Sequence, residues 1–166
     1  MNKQIDTLNS FLSFRLGDEL FAANVSKVLE ILEIPKITKV PRSPSFLRGV
    51  INLRGNVLPV IDTRNKFGLP AVDDSVNTCI LVLNVSIEGK DLTLGAVVDA
   101  VQEVMEIDET SIQALPSVGS KYNSEFIDGM LKLNDEFIMI LNLDLVFSSE
   151  EVALLDEFAE AQTVTL

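Results

Sequence analysis

The chain carries its own pattern twice. Residues 25–32 (VSKVLEIL) and 98–105 (VDAVQEVM) both read V-x-x-V-x-E-[IV]-[LM], an offset of 73. Farther on, Phe46-Leu47-Arg48-Gly49 corresponds to Phe126-Ile127-Asp128-Gly129 at an offset of 80. At that same offset GVINLRGNVLPVID (49–62) keeps step with GMLKLNDEFIMILN (129–142) in its apolar positions. Three segments agreeing in order predict two copies of one unit, each about 70 residues long. The second copy holds about seven extra residues, expected within Ser117 to Asn123. A unit this small buries little core alone, so the copies are expected to pack against each other.

Within each copy the apolar residues alternate or run in short stretches between turn signals, the pattern of β-strands. FLSFRLGDELFAANV (11–25) reads as two strands joined at Gly17-Asp18, and NTCILVLNVSIEGKDLTLGAVV (77–98) repeats it with a turn within 88–91. Residues 49–62 and 129–144 each read as a hairpin with a short polar turn. Pro41 and Pro44 bracket a non-strand segment where Ser45 can cap a helical turn over residues 46–48, and residues 71–77 read as an exposed connection. At the end, SSEEVALLDEFAEA (148–161) is a helix. Ser148 or Ser149 is its N-cap, Glu150 and Glu151 occupy the positive first turn, and Val152, Leu155, Phe158 and Ala159 share one face. The expected fold is all-β: two tandem five-stranded barrels packed together, with short helices in the connections and a C-terminal helix. Barrel closure leaves few exposed strand edges.

Composition removes several functions. The chain has no histidine, hence not the usual general base, triad base or zinc ligand. Neither GxxxxGK[ST] nor GxGxxG occurs, and no pair of carboxylates stands out. No enzyme activity, cofactor or metal is expected. A net charge of −12 opposes binding to nucleic acid and to anionic membrane surfaces. No apolar run approaches the roughly 20 residues of a membrane span, and the start lacks a signal pattern, so a cytoplasmic location is expected. The single Cys79 lies in an apolar strand, where inert packing is expected. The charge is uneven, however. Lys36, Lys39, Arg42, Arg48, Arg54, Arg64 and Lys66 fall together with Asp62 as the sole acid among them, a distribution suited to acidic protein surfaces.

The repeat isolates one of these cations. Where the second copy turns through Asn134-Asp135-Glu136, the first has Arg54-Gly55-Asn56. The fold needs a turn there and does not need an arginine, whose planar fork suits a carboxylate or carbonyl at an interface. Arg64 admits the same reading, with an internal contact to Asp62 as the alternative. Glu30 and Glu103 are equivalent, so an acid there can serve the shared fold. Around Glu30 stand Val28, Leu29, Ile31 and Leu32, and whatever part of that cluster remains exposed is a protein-binding patch.

The segment Phe46-Leu47-Arg48-Gly49-Val50-Ile51-Asn52-Leu53-Arg54-Gly55, followed by Val60-Ile61-Asp62-Thr63-Arg64, resembles the CheW family of chemotaxis coupling proteins. LGDELFAANVSKVLEI (16–31) and the ending SSEEVALLDEFAEA fit as well, and the resemblance covers about residues 8–160. Thr63 departs from it, since family members often carry an apolar residue there. The resemblance implies intertwined Src-homology-3-like barrels in a CheW-like domain over residues 8–148. The first barrel is expected at about 20–75 with the N-terminal strand exchanged, the second at about 76–147, and the helix and tail at 149–166. It implies a non-enzymatic adaptor joining methyl-accepting chemotaxis receptors to the histidine kinase CheA, peripheral to the membrane through receptor arrays. A groove between the barrels would receive the receptor tip, and one barrel would meet the regulatory domain of CheA. Val28, Glu30, Ile31, Gly49, Arg54 and Arg64 are the expected docking residues. Close relatives attach the same module to a kinase or a receiver domain; a chain ending at Leu166 favours a free-standing coupler. A coupler of a non-motility pathway, or a sensor binding a small molecule in the inter-barrel cleft, is the alternative.

Overall fold

The computed structural model describes residues 9–114 and 126–163. Ten strands form in the order β1 (Ser10–Leu16), β2 (Glu19–Asn24), β3 (Val28–Glu33), β4 (Leu47–Leu53), β5 (Asn56–Asp62), β6 (Cys79–Ile87), β7 (Lys90–Val98), β8 (Ala100–Glu106), β9 (Ile127–Leu133) and β10 (Glu136–Leu141). A four-residue helix α1 (Thr63–Lys66) follows β5, and α2 (Ser149–Thr163) ends the chain. The strands make two five-stranded sheets, ordered β8-β1-β2-β10-β9 and β3-β6-β7-β5-β4. Substituting β3 for β8, β6 for β1, β7 for β2, β5 for β10 and β4 for β9 turns one order into the other, so the sequence repeat is a structural one.

The expected boundary near residue 75 does not separate the sheets. The β1–β2 hairpin joins strands of the second half and the β6–β7 hairpin joins strands of the first, so each sheet takes its central hairpin from the other copy. Only parallel pairings, β2 with β10 and β5 with β7, hold these exchanged hairpins to their hosts on one side. The extra residues expected at 117–123 lie outside the described residues.

Each sheet closes on itself through the segment after its bent edge strand. Thr38, beyond β3, bridges Val50 of β4, and Gln113, beyond β8, bridges Met130 of β9. Those bridges cross Gly49 and Gly129. A Cβ on Gly49 would overlap the Thr38 carbonyl and stand 2.7 Å from Ile37 Cγ2, and one on Gly129 would stand 2.6 Å from the Gln113 carbonyl. Glycine recurs at the offset of 80 because the backbone passes too close for any side chain.

Each barrel interior is small: Phe11, Leu20, Ala22, Ile107, Ile138 and Ile140 in one, Ile51, Leu58, Val60, Ile80, Val82 and Val97 in the other. The larger core lies between the barrels, where Phe14, Leu16 and Phe21 meet Leu81, Leu83, Val85 and Leu94. Strands buried on both faces read as nearly continuous apolar runs, which explains the ILVLNV of β6. Val152 and Leu155 of α2 complete this central core. The helix begins with a capping box: Ser148 Oγ accepts from the Glu151 amide and Glu151 Oε1 from the Ser148 amide. Glu151 also accepts two bonds from Lys66, whose ammonium stands 5.3–5.4 Å from the ring centroids of Phe46 and Phe147.

One local expectation fails. Residues 46–48 do not form a helical turn capped by Ser45. A backbone bond from the Leu47 amide to the Pro44 carbonyl makes a tight turn, and β4 starts at Leu47 because Phe46 and Leu47 are drawn into the central core.

Candidate protein-docking site

The site is built on β3 and on the tip of the β4–β5 hairpin. β3 is an edge strand, paired with β6. Its register slips between Val28 and Glu30, a bulge at Leu29. Burial nevertheless alternates along the strand: Val28 packs on the central core, and Leu29 (55% exposed) and Ile31 (48% exposed) stand in solvent. Leu32 packs on the barrel interior.

The hairpin tip is a two-residue turn with positive φ at both positions, Arg54 at 51° and Gly55 at 87°. This type I′ geometry matches strand twist and favours Asn, Asp or Gly. Arg54 donates from Nη1 to Glu30 Oε2 at 2.7 Å and from Nη2 to Glu30 Oε1 at 2.8 Å, a bidentate fork joining the ends of the sheet. These bonds hold the Glu30 carboxyl below the usual carboxylate range against slight desolvation. Arg54 is 69% exposed, so the pair lies at the surface, while Leu29 and Ile31 flank Glu30 along β3 and, by strand alternation, point to its other face. The structure thus brings Glu30 and Arg54 together and leaves Ile31 exposed on the same strand, along with Leu29.

The other expected docking residues fall elsewhere. Val28 is half-buried against the central core, and Gly49 is buried beneath residues 37 and 38. Arg64, its side chain only 14% exposed, sits where the barrels exchange strands. Its guanidinium pairs with Asp99, the residue between β7 and β8, and Nη1 donates to the Pro70 carbonyl at 2.8 Å. Asp99 in turn accepts from the Gly17 amide at the β1–β2 turn. Asp62, the alternative partner, instead caps α1 by accepting from the Asn65 amide.

The clamp has a charge-reversed counterpart. Asp144, offset by 80 from Arg64, accepts from Lys27 at the other crossover and from the Ser86 amide, both at 2.8 Å. Arg64 and Asp144 therefore lock the two strand exchanges with opposite charges.

The contact between the barrels is filled. Its apolar cavity, lined by Phe14, Ala23, Thr63, Leu83, Leu94 and Leu141 among others, has a volume of about 30 Å³, the scale of one water rather than a ligand. Among the described residues, no three His, Cys, Asp or Glu side chains converge as metal ligands would, and no helix is long and apolar enough to cross a membrane.

The comparisons agree with this architecture. A family model described as CheW-like domain matches residues 10–151. The chain is 36% identical over 140 residues to "Chemotaxis protein CheW" of Rhizobium meliloti (strain 1021), covering 84% of this chain and 88% of that protein. It is 34% identical over 140 residues to the protein of that name from Helicobacter pylori (strain ATCC 700392 / 26695), covering 84% and 82%. Among solved structures it is similar to the scaffolding protein TtCheW from Thermoanaerobacter tengcongensis, with a TM-score of 0.75, 34% identity and coverage of 89% of this chain and 93% of that one. With its hairpin-exchanged double barrel and a family match running from β1 into α2, the chain belongs to the CheW-like domain family.

Proposed function

We propose that the chain is a non-catalytic chemotaxis adaptor that couples methyl-accepting chemoreceptors to the histidine kinase CheA in cytoplasmic arrays at the membrane. Its relatives' names supply the setting. One observation carries the reading to this chain: an arginine occupies a left-handed turn position, forked onto Glu30 of an edge strand whose Leu29 and Ile31 are exposed. The left-handed backbone costs a non-glycine residue about 1–2 kcal/mol, so local turn chemistry opposes arginine there. Arginine and exposed aliphatics at a fixed geometry suit a partner interface. Bridging is the mechanism: weak contacts to two partners raise their effective concentration and build an assembly.

Calorimetric titration of the chain with the CheA regulatory domain, and separately with a receptor signalling fragment, tests the reading. Binding to both is expected, with Arg54→Asp weakening at least one about tenfold or more. Absence of binding to either partner overturns the coupler function.

A further inference from the structure

Of the seven cations between residues 36 and 66, four are engaged: Arg48 with Asp74, Arg54 with Glu30, Arg64 with Asp99, and Lys66 with Glu151. Lys36, Lys39 and Arg42 have no ion-pair partner among the described residues, and all three are exposed on an acidic molecule. They share the connection between β3 and β4. Its apolar residues Ile34 and Ile37 pack on the barrel interior, and Val40 packs on the central core. Both sets step by three, with anchors at 34, 37 and 40 and cations at 36, 39 and 42. An extended chain advances about 10 Å in three residues, which sets the step from Lys36 to Lys39; Arg42 follows within the turn at residues 40–43.

The row is held rigidly. Thr38 exchanges two backbone bonds with Val50, at 2.9 and 2.8 Å. The Ser43 amide donates to the Val40 carbonyl across a turn centred on Pro41 and Arg42, with Arg42 at φ 60°. Pro35, Pro41 and Pro44 fix three further φ angles. Little ordering entropy remains to be lost on binding. The adjoining open groove, lined by Lys39, Arg48, Asp62, Asp73 and Asp74 among others, sets three acids against two cations, with Arg48 already paired to Asp74.

We infer that residues 36–42 form a cationic ridge that docks an acidic helical segment of a partner protein. Carboxylates two turns apart on a helix stand about 10.5 Å from each other, which matches the step from Lys36 to Lys39. The net charge of −12 repels an extended polyanion such as duplex DNA or an anionic bilayer, whereas a helix with acids on one face meets the ridge alone. The ridge continues directly from β3, so a helix seated on it runs on from Leu29 and Ile31. This surface is separate from the Arg54–Glu30 pair and does not depend on the proposed function.

Amide chemical-shift mapping of the full chain tests the ridge. The probe is an alanine-based helical peptide with glutamate at every seventh position, compared with its glutamine counterpart. Saturable shifts centred on residues 34–46 are expected for the glutamate peptide and none for the glutamine peptide. Binding should weaken at least about tenfold in Lys36→Gln/Lys39→Gln/Arg42→Asn, and likewise when salt rises from roughly 50 to roughly 500 mM. Asn suits the left-handed backbone at 42, and the Lys36→Gln/Lys39→Gln double variant leaves that turn untouched as a second arm. Equal response to the glutamine peptide, shifts centred elsewhere, or undiminished binding by both variants overturns the inference. A stronger response at the ridge to phosphatidylglycerol bicelles or duplex DNA than to the peptide overturns it as well.

Discussion

Arg54 and Asn134 occupy the same position of equivalent turns, with φ of 51° and 49°. Asn134 is the residue that such a turn favours; Arg54 is not, and its fork to Glu30 fixes it there. The turn and the ion pair can therefore be separated by mutation. Arg54→Asn gives the first copy the turn chemistry of the second. Its melting temperature should stay within about 2 °C of wild type or rise, since an exposed pair contributes little and the turn improves. Binding to its partners should nevertheless fall. Circular dichroism melts beside the titrations check both halves of this statement.

Gly49 is required by the fold, since it is buried beneath residues 37 and 38. Gly49→Ala forces its Cβ into the Thr38 carbonyl and should destabilise by about 3 kcal/mol, with Gly129→Ala doing the same in the other barrel. Urea unfolding measures this. A Gly49→Ala protein of wild-type stability contradicts it.

The clamp at Asp99 makes stability depend on pH. Burial of this carboxyl opposes its charge, but the bonds from Arg64 and from the Gly17 amide outweigh burial and hold it below the ordinary range. Its contribution is full above the unfolded value near 3.9 and fades as pH falls through the folded one. Asp99→Asn should therefore cost about 1–2 kcal/mol at pH 7. Below about pH 4 the difference from wild type should shrink, as the native carboxyl becomes protonated. Urea melts of both proteins at neutral and acid pH give the comparison.

Thr63 is buried in the apolar contact between the barrels, and its Oγ1 has no hydrogen-bond partner among the described residues. An unmatched buried hydroxyl costs about 1–3 kcal/mol, and valine keeps the shape without it. Thr63→Val should raise stability by about 1 kcal/mol, read as a higher urea midpoint with an unchanged slope. A lower midpoint contradicts the assignment of that hydroxyl.

The repeat, the four hairpins and the capping box at Ser148 were legible in the sequence because each rests on local spacing and turn chemistry. The hairpin exchange was not legible locally; only the family resemblance implied intertwined barrels, with the N-terminal strand exchanged. Swapping β1–β2 with β6–β7 leaves every local pattern unchanged, and only pairing between distant strands decides it. The docking residues divide in the same way. Arg54 stood out by comparison with Asn134, yet its partner Glu30 is brought close only when the barrel closes. Leu29 and Ile31 face solvent by the ordinary alternation of β3, but which of its two faces is outward is set by pairing with distant β6. Arg64 read as a surface cation because its partner, Asp99, lies 35 residues away in the crossover.

Co-sedimentation of the chain with a receptor signalling fragment and CheA, using wild type and Arg54→Asp at equal folded fraction, is the most direct measurement. A ternary assembly that forms with wild type and is lost with the folded variant is the predicted result. Assembly that survives Arg54→Asp undiminished removes the Arg54–Glu30 surface from the docking role.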